Sequence, residues 1–177
     1  DPDNRRPVDF ALRAALLEEL RERIAGGDLA ELARELTEQW EDGRIKFYTI
    51  HRALTHRRLV HEVYQMGEYI PLPTGGSSSG HLCAFARRKG SRVVLIVAPR
   101  LVAGLTDNGA RLPLGREVWG DTWVALPGGL PEGSYVNLFT GAEVGMTTTP
   151  VGAALLAGEI LADFPVALLE AASGAKT

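Results

Sequence analysis

Asp3, Asn4, Arg5 and Arg6, set between Pro2 and Pro7, are the residues of this chain best suited to chemistry. A run of acids and arginines cannot build an apolar core, and each proline fixes its own φ while holding the preceding residue extended. The opening segment, Asp1 to Asp9, is therefore expected to present a stiff polar surface, rich in forked donors and in acceptors, of the kind that grips many hydroxyl groups.

Other residues with chemical potential fail tests of spacing. His51, His56 and His61 recur every five positions. Five residues turn a helix by about 140° beyond one full turn, so their rings diverge and no metal site is expected. With Arg52, Arg57 and Arg58 they are expected to form a basic face, solvated or bridged to acids of neighbouring helices. His81 reads as structural. The run Thr74 to Gly80 is rich in glycine and serine but lacks the Gly-Lys-Ser/Thr sequence and following helix of a phosphate loop, so it reads as a flexible, mobile surface connection.

Retaining glycosyl transfer needs two carboxyl groups about 5 Å apart on rigid strand ends. Glu117, Asp121, Glu132, Glu143 and Asp163 instead stand singly in turn-like sequence, where capping or solubility is the expected role. No serine-hydrolase elbow, His-Glu-x-x-His, Cys-x-x-Cys or dinucleotide fingerprint occurs. The chain is not expected to hold a complete active site, a metal or a cofactor.

The elements that position these residues divide near residue 65. Residues 1–64 carry 24 of the 41 charged side chains and 3 of the 20 glycines, whereas residues 65–177 carry 17 glycines and 8 of the 10 prolines. This shift predicts a helical part followed by a strand-rich part. Phe10, Ala14, Leu17, Leu20 and Ile24 have helical spacing, with Gly26-Gly27 as the stop. Asp28 and Glu31 form a variant capping box before Leu29, Leu32, Leu36 and Trp40, and a third helix is expected from Arg44 to Tyr64. Strands are expected at 68–72, 81–88, 92–98, 122–126, 134–139 and 165–169, each bounded by turn residues. The turn 88–91 should join the second and third in a hairpin, and the all-apolar third strand should be central. The fold class predicted is α+β, with N-terminal helices followed by an antiparallel β-sandwich.

Nineteen basic against twenty-two acidic side chains give a net charge of −3, which disfavours nucleic acid or an anionic membrane as partner. Cys83 is the single cysteine, so no intrachain disulfide forms, and no apolar run approaches a membrane span. A cytoplasmic location is expected.

The segment Asp1 to Asp9 resembles the loop after the last barrel strand of maltooligosyl trehalose synthases, members of the α-amylase clan. Asp42-Gly43-Arg44-Ile45-Lys46-Phe47-Tyr48, with Ala53-Leu54 and Arg57-Arg58, looks like the last barrel helix of that family. Residues 67–72, His81 with 84–87, and 97–101 resemble the opening strands of its C-terminal sandwich, and 119–122, 138–141 and 164–169 continue the likeness in family order. The Ser77 to Gly80 stretch gives no such anchor, and the barrel strands bearing the family's catalytic carboxylates have no counterpart here.

The resemblance implies a C-terminal portion of a larger enzyme: residues 1–64 as the helical end of a catalytic (β/α)8 barrel, and residues 65–177 as the C-terminal β-sandwich domain. It implies an isomerase that turns the reducing-end α-1,4 linkage of a maltooligosaccharide into α,α-1,1 by intramolecular transglycosylation, without cofactor. Its partners would be an α-glucan substrate and the upstream barrel of the same protein. Asp3, Asn4, Arg5 and Arg6 would then bind substrate, or Arg5 and Arg6 would pair with barrel acids. Two other readings stay open: another hydrolase or transferase of the clan, and a non-catalytic carbohydrate-binding module, for which Trp119 and Trp123 would have to form an exposed stacking platform on one strand face.

Overall fold

The computed structural model describes residues 7–172. Asp9 opens helix α1 (Phe10–Ala25) by accepting from the Leu12 amide at 2.9 Å, and Asp28 caps α2 (Leu29–Glu38) by accepting from the Glu31 amide at 2.9 Å. Gly43, at φ +81°, supplies the left-handed turn that starts α3 (Arg44–Leu59). The Arg44 guanidinium then ties the three helices together, meeting Asp42 at 2.7 Å, Glu35 of α2 at 3.0 Å and Glu19 of α1 at 3.5 Å. Arg23 and burial act in opposite senses on Glu35, and the arginines win, holding its carboxyl below the usual range.

The expected third helix does not run unbroken to Tyr64. It breaks at Val60 (φ −125°, ψ 41°), and α4 (His61–Met66) follows. Val60 is buried among apolar side chains at the break. In an unbroken helix, residues 56 and 64 would lie about 80° apart around the axis; across the break, the His56 and Tyr64 side chains meet.

Ten strands form two antiparallel sheets among the described residues. The larger, of six strands, has the order β1 (Glu68–Pro71), β3 (Leu82–Lys89), β4 (Arg92–Pro99), β10 (Ala167–Ala171), β6 (Tyr135–Asn137), β7 (Glu143–Val144). The smaller has the order β2 (Thr74–Gly75), β5 (Trp123–Ala125), β9 (Gly152–Leu156), β8 (Thr147–Thr149). Two short helices, α5 (Gly115–Trp119) and α6 (Ala157–Ile160), complete the fold. The β3–β4 hairpin pairs Lys89 with Arg92 across a two-residue turn whose Gly90 takes φ +61°, tighter than the four-residue turn expected.

After Arg92, strand β4 is apolar because it is buried on both faces, as its central place requires. Val93, Leu95 and Val97 point into a cluster shared with Val124 and Leu155 of the smaller sheet. Val94 and Ile96 point the other way, into a second cluster with Leu20, Leu32, Leu36 and Tyr48 of the helices. The period of two thus sends alternate side chains to two apolar layers. Tyr48, Phe139 and Phe164 bind the second layer: Tyr48 meets Phe164 edge-on at 5.6 Å and Phe139 stacks on Phe164 at 5.1 Å.

The apolar stripe expected on the first two helices is only partly buried. Leu20, Leu32 and Leu36 are fully enclosed, but Phe10 is 77% exposed and Trp40 also faces out. The run 74–80 is not a free loop either. Ser77 donates from its amide (2.9 Å) and hydroxyl (2.7 Å) to Asp121, and the buried Ser78 donates from its amide to Thr122 at 3.0 Å. Gly75 and Gly76 serve close packing: a Cβ on Gly75 would stand 2.0 Å from the Trp123 ring, and one on Gly76 2.6 Å from the Asp121 carbonyl oxygen.

Candidate functional site

The substrate-binding residues expected from the sequence, Asp3, Asn4, Arg5 and Arg6, lie outside the described residues. What the structure places is their root: Pro7 and Val8 are exposed ahead of α1. The groove beside that root, between α1 and the start of α3, is lined by Asp9, Leu12, Arg13, Asp42, Lys46 and Phe47, and Arg13 lies over the Phe47 ring at 5.3 Å.

The three helix histidines are dispersed. No group of three or more His, Cys, Asp or Glu side chains among the described residues is arranged to hold a metal. His61 is exposed, His51 faces a groove between α1 and α3, and His56 turns into the interior. His56 bridges three elements, with Nδ1 2.8 Å from the Tyr64 hydroxyl of α4 and Nε2 3.2 Å from Glu170 of β10. The anion faces Nε2, so the partners assign the proton there, and Nδ1 accepts from Tyr64. The Nε2 contact is close but poorly aligned for a hydrogen bond. Even so, His56 holds the Glu170 carboxyl below its usual range against burial, with Arg92 adding to the effect. Burial, then the Glu170 charge, pushes the Tyr64 hydroxyl up, which leaves it a donor and no nucleophile.

This cluster was missed from the sequence because Glu170 stands far from His56 along the chain. The expectation of bridges to neighbouring helices is corrected here: the partner acid belongs to a strand. Arg52 is likewise committed inward, its guanidinium donating to the Leu138 carbonyl (Nε at 2.9 Å). His81 is structural, with Nδ1 2.9 Å from the Leu101 carbonyl.

The acids of the strand-rich part remain apart. Glu117 pairs with Arg111 at 3.2 Å, Asp121 accepts from Ser77, and Glu143 accepts from the Ser134 hydroxyl. Ser77 holds Asp121 below the usual carboxylate range. Glu117 on α5, Asp121 in a turn and Glu143 on the edge strand β7 thus each have a separate local partner, and none is half of a catalytic pair. The platform envisaged for Trp119 and Trp123 does not form. Trp119 ends α5, wholly buried, its Nε1 donating to Pro113 at 2.8 Å, while Trp123 lies on β5 against Gly75. A helix-to-strand transition between them breaks the period-two alternation on which a shared face depends.

No helix among the described residues is long and apolar enough to cross a membrane. No family model matches the chain. Proteins named as maltooligosyl trehalose synthases in two strains of Mycobacterium tuberculosis are each 30% identical to it over 169 residues, covering 96% of this chain and 16% of their own length. The solved structure of a mutant maltooligosyltrehalose synthase from Arthrobacter ramosus superposes with a TM-score of 0.61 at 34% identity, covering 97% of this chain and 18% of that one. The chain thus spans about one sixth of the length of these relatives. Along almost its whole length it is therefore similar, in sequence and in fold, to one segment of the maltooligosyl trehalose synthases.

Proposed function

We propose that this chain is the C-terminal segment of a maltooligosyl trehalose synthase, with residues 1–64 forming the helical end of its catalytic barrel and residues 65–177 its β-sandwich domain. The observation that carries this reading is the agreement of 30% sequence identity over 96% of the chain with a TM-score of 0.61 to an enzyme of the same name. The arrangement of elements supports it. Helices α1 to α4 come first and cover one face of the larger sheet through the Tyr48, Phe139 and Phe164 cluster, while the opposite face of that sheet packs on the smaller one.

In this reading the reaction is an isomerisation that needs no cofactor. A barrel carboxylate outside this segment displaces the reducing-end glucose and forms a glycosyl enzyme, while a second carboxyl group protonates the leaving oxygen. The freed glucose turns in place, and the second carboxylate takes the proton of its anomeric hydroxyl as that oxygen attacks the glycosyl carbon, which releases the first carboxylate, restores the acid and forms the α,α-1,1 linkage. Product choice rests on holding that glucose while excluding water. Asp3, Asn4, Arg5 and Arg6 are assigned to that grip, at the carboxyl-end face of the barrel where such sites gather.

The test is to incubate the intact protein, and the 177-residue chain alone, with maltopentaose. The intact protein should abolish reducing ends without shortening the oligosaccharide, and the isolated chain should do nothing, since it lacks the carboxylate pair. Turnover by the isolated chain, or shortened reducing products from the intact protein, would place it among the hydrolases or transferases of the clan instead.

A further inference from the structure

Between α1 and α3 runs an open groove of about 230 Å³ whose floor is apolar: Leu17, Phe47, Ile50 and Leu54. Ile50 is 49% and Leu54 47% exposed, and neither belongs to the two buried apolar clusters. The rim carries Arg21, His51 and Arg58. The His51 imidazole Nδ1 is sealed from solvent and has no hydrogen-bond partner among the described residues. An unpaired lone pair costs less there than an unpaired N–H, so the proton of a neutral ring belongs on Nε2.

The ring is kept neutral. Burial and, after it, Arg21, Arg52 and Arg58 all hold its pKa below the ordinary histidine value. Arg52 is spent on the Leu138 carbonyl and Arg21 meets Glu18 on its own helix, but among the described residues Arg58 has no carboxylate partner. The rim thus offers donors and positive charge above an apolar floor, and an acceptor with negative charge is the complement.

We infer that this groove receives an aspartate or glutamate, flanked by apolar side chains, from the part of the same polypeptide that lies outside these 177 residues. The inference rests on the reading that the chain is one segment of a larger enzyme, and the relatives leave more than four fifths of their length to supply the occupant. A second copy fits poorly. Isologous pairing through this face would set Arg21 and Arg58 of one copy against the same arginines of the other, with Glu18 as the acid already committed.

The experiment places p-benzoylphenylalanine at Leu54 of the intact protein, with Ile50 as an independent second position, and maps the photocross-link by mass spectrometry. The expected product is an internal cross-link to a peptide outside residues 1–177 that contains Asp or Glu. Arg58→Glu should then lower the thermal midpoint of the intact protein, and replacing the cross-linked acid by Arg in the same molecule should restore it. A cross-link to a second copy, to residues 1–6 or 173–177, or to a peptide without an acid would overturn the inference. So would absence of any cross-link at both positions, or failure of the charge exchange to restore the midpoint. Activity is read separately: an intact protein that cross-links as expected but makes no trehalose linkage refutes the proposed function and leaves the groove assignment standing, and the reverse result separates them the other way.

Discussion

His56 Nε2 stands 3.2 Å from the Glu170 carboxylate, joining helix α3 to the middle of the six-stranded sheet at a point where neither side chain is more than 30% exposed. Tyr64 completes the bridge from the far side of the helix break at Val60. The contact gives stability a pH dependence. The Glu170 carboxyl is held below its usual value of 4.5, so its contribution is complete above that pH and is lost as pH falls through the lower folded value. Glu170→Gln is expected to cost about 1 kcal/mol at neutral pH and less at a second, acidic pH below the usual carboxyl value. Urea unfolding of both proteins at the two pH values checks this. An equal loss at both would assign the effect to packing.

Tyr48 presents a different case, a neutral hydroxyl buried against the Phe139 carbonyl. Tyr48→Phe keeps the ring and its edge-on contact with Phe164 but leaves that carbonyl unpaired, at a cost of about 1 to 2 kcal/mol. The denaturant midpoint should fall with an unchanged m-value. An unchanged midpoint would mean that the carbonyl finds another donor.

Gly75→Ala should be felt at Trp123. The added Cβ would stand 2.0 Å from the indole ring, so the ring or strand β2 must move, at the scale of about 1 to 3 kcal/mol for overpacking. Tryptophan emission should shift to longer wavelength as the ring gains solvent. Unchanged emission and stability would show that the loop from Thr74 onward yields freely, despite its bonds to Asp121 and Thr122.

These contacts mark what the sequence makes legible. The Asp28 cap and the two-sided apolar run of β4 were readable because each is a local pattern with a physical cause: an orphan amide seeking an acceptor, and a strand buried on both faces. The break at Val60 was not, since helical periodicity continues through it and only the packing of Val60 and the meeting of His56 with Tyr64 interrupt it. Strands β2 and β7, each two residues long, are too short for alternation to register. The spacing of Trp119 and Trp123 suits one strand face, and the end of α5 at Trp119 that separates them leaves no local pattern. The contact of His56 with Glu170 has no local trace at all.

Arg5 and Arg6 carry the prediction closest to chemistry. Under the proposed function, Arg5→Lys or Arg6→Lys in the intact protein replaces a forked donor by a point charge, and loss of a charged hydrogen bond of roughly 1.5 to 3 kcal/mol should slow transfer about tenfold or more. Glucose that escapes leaves the glycosyl enzyme to water, so the share of free glucose should rise while the unfolding midpoint holds. A lowered midpoint with an unchanged product ratio would make these arginines struts between this segment and barrel acids.

The fate of the reducing-end glucose tests the proposed function most directly. Maltopentaose labelled with carbon-13 at its reducing-end anomeric carbon, incubated with the intact protein and followed by NMR, should move that label into an α,α-1,1 linkage within an oligosaccharide of unchanged mass. Label appearing in free glucose or in a shorter reducing sugar as the main product would contradict assignment of this chain to a maltooligosyl trehalose synthase.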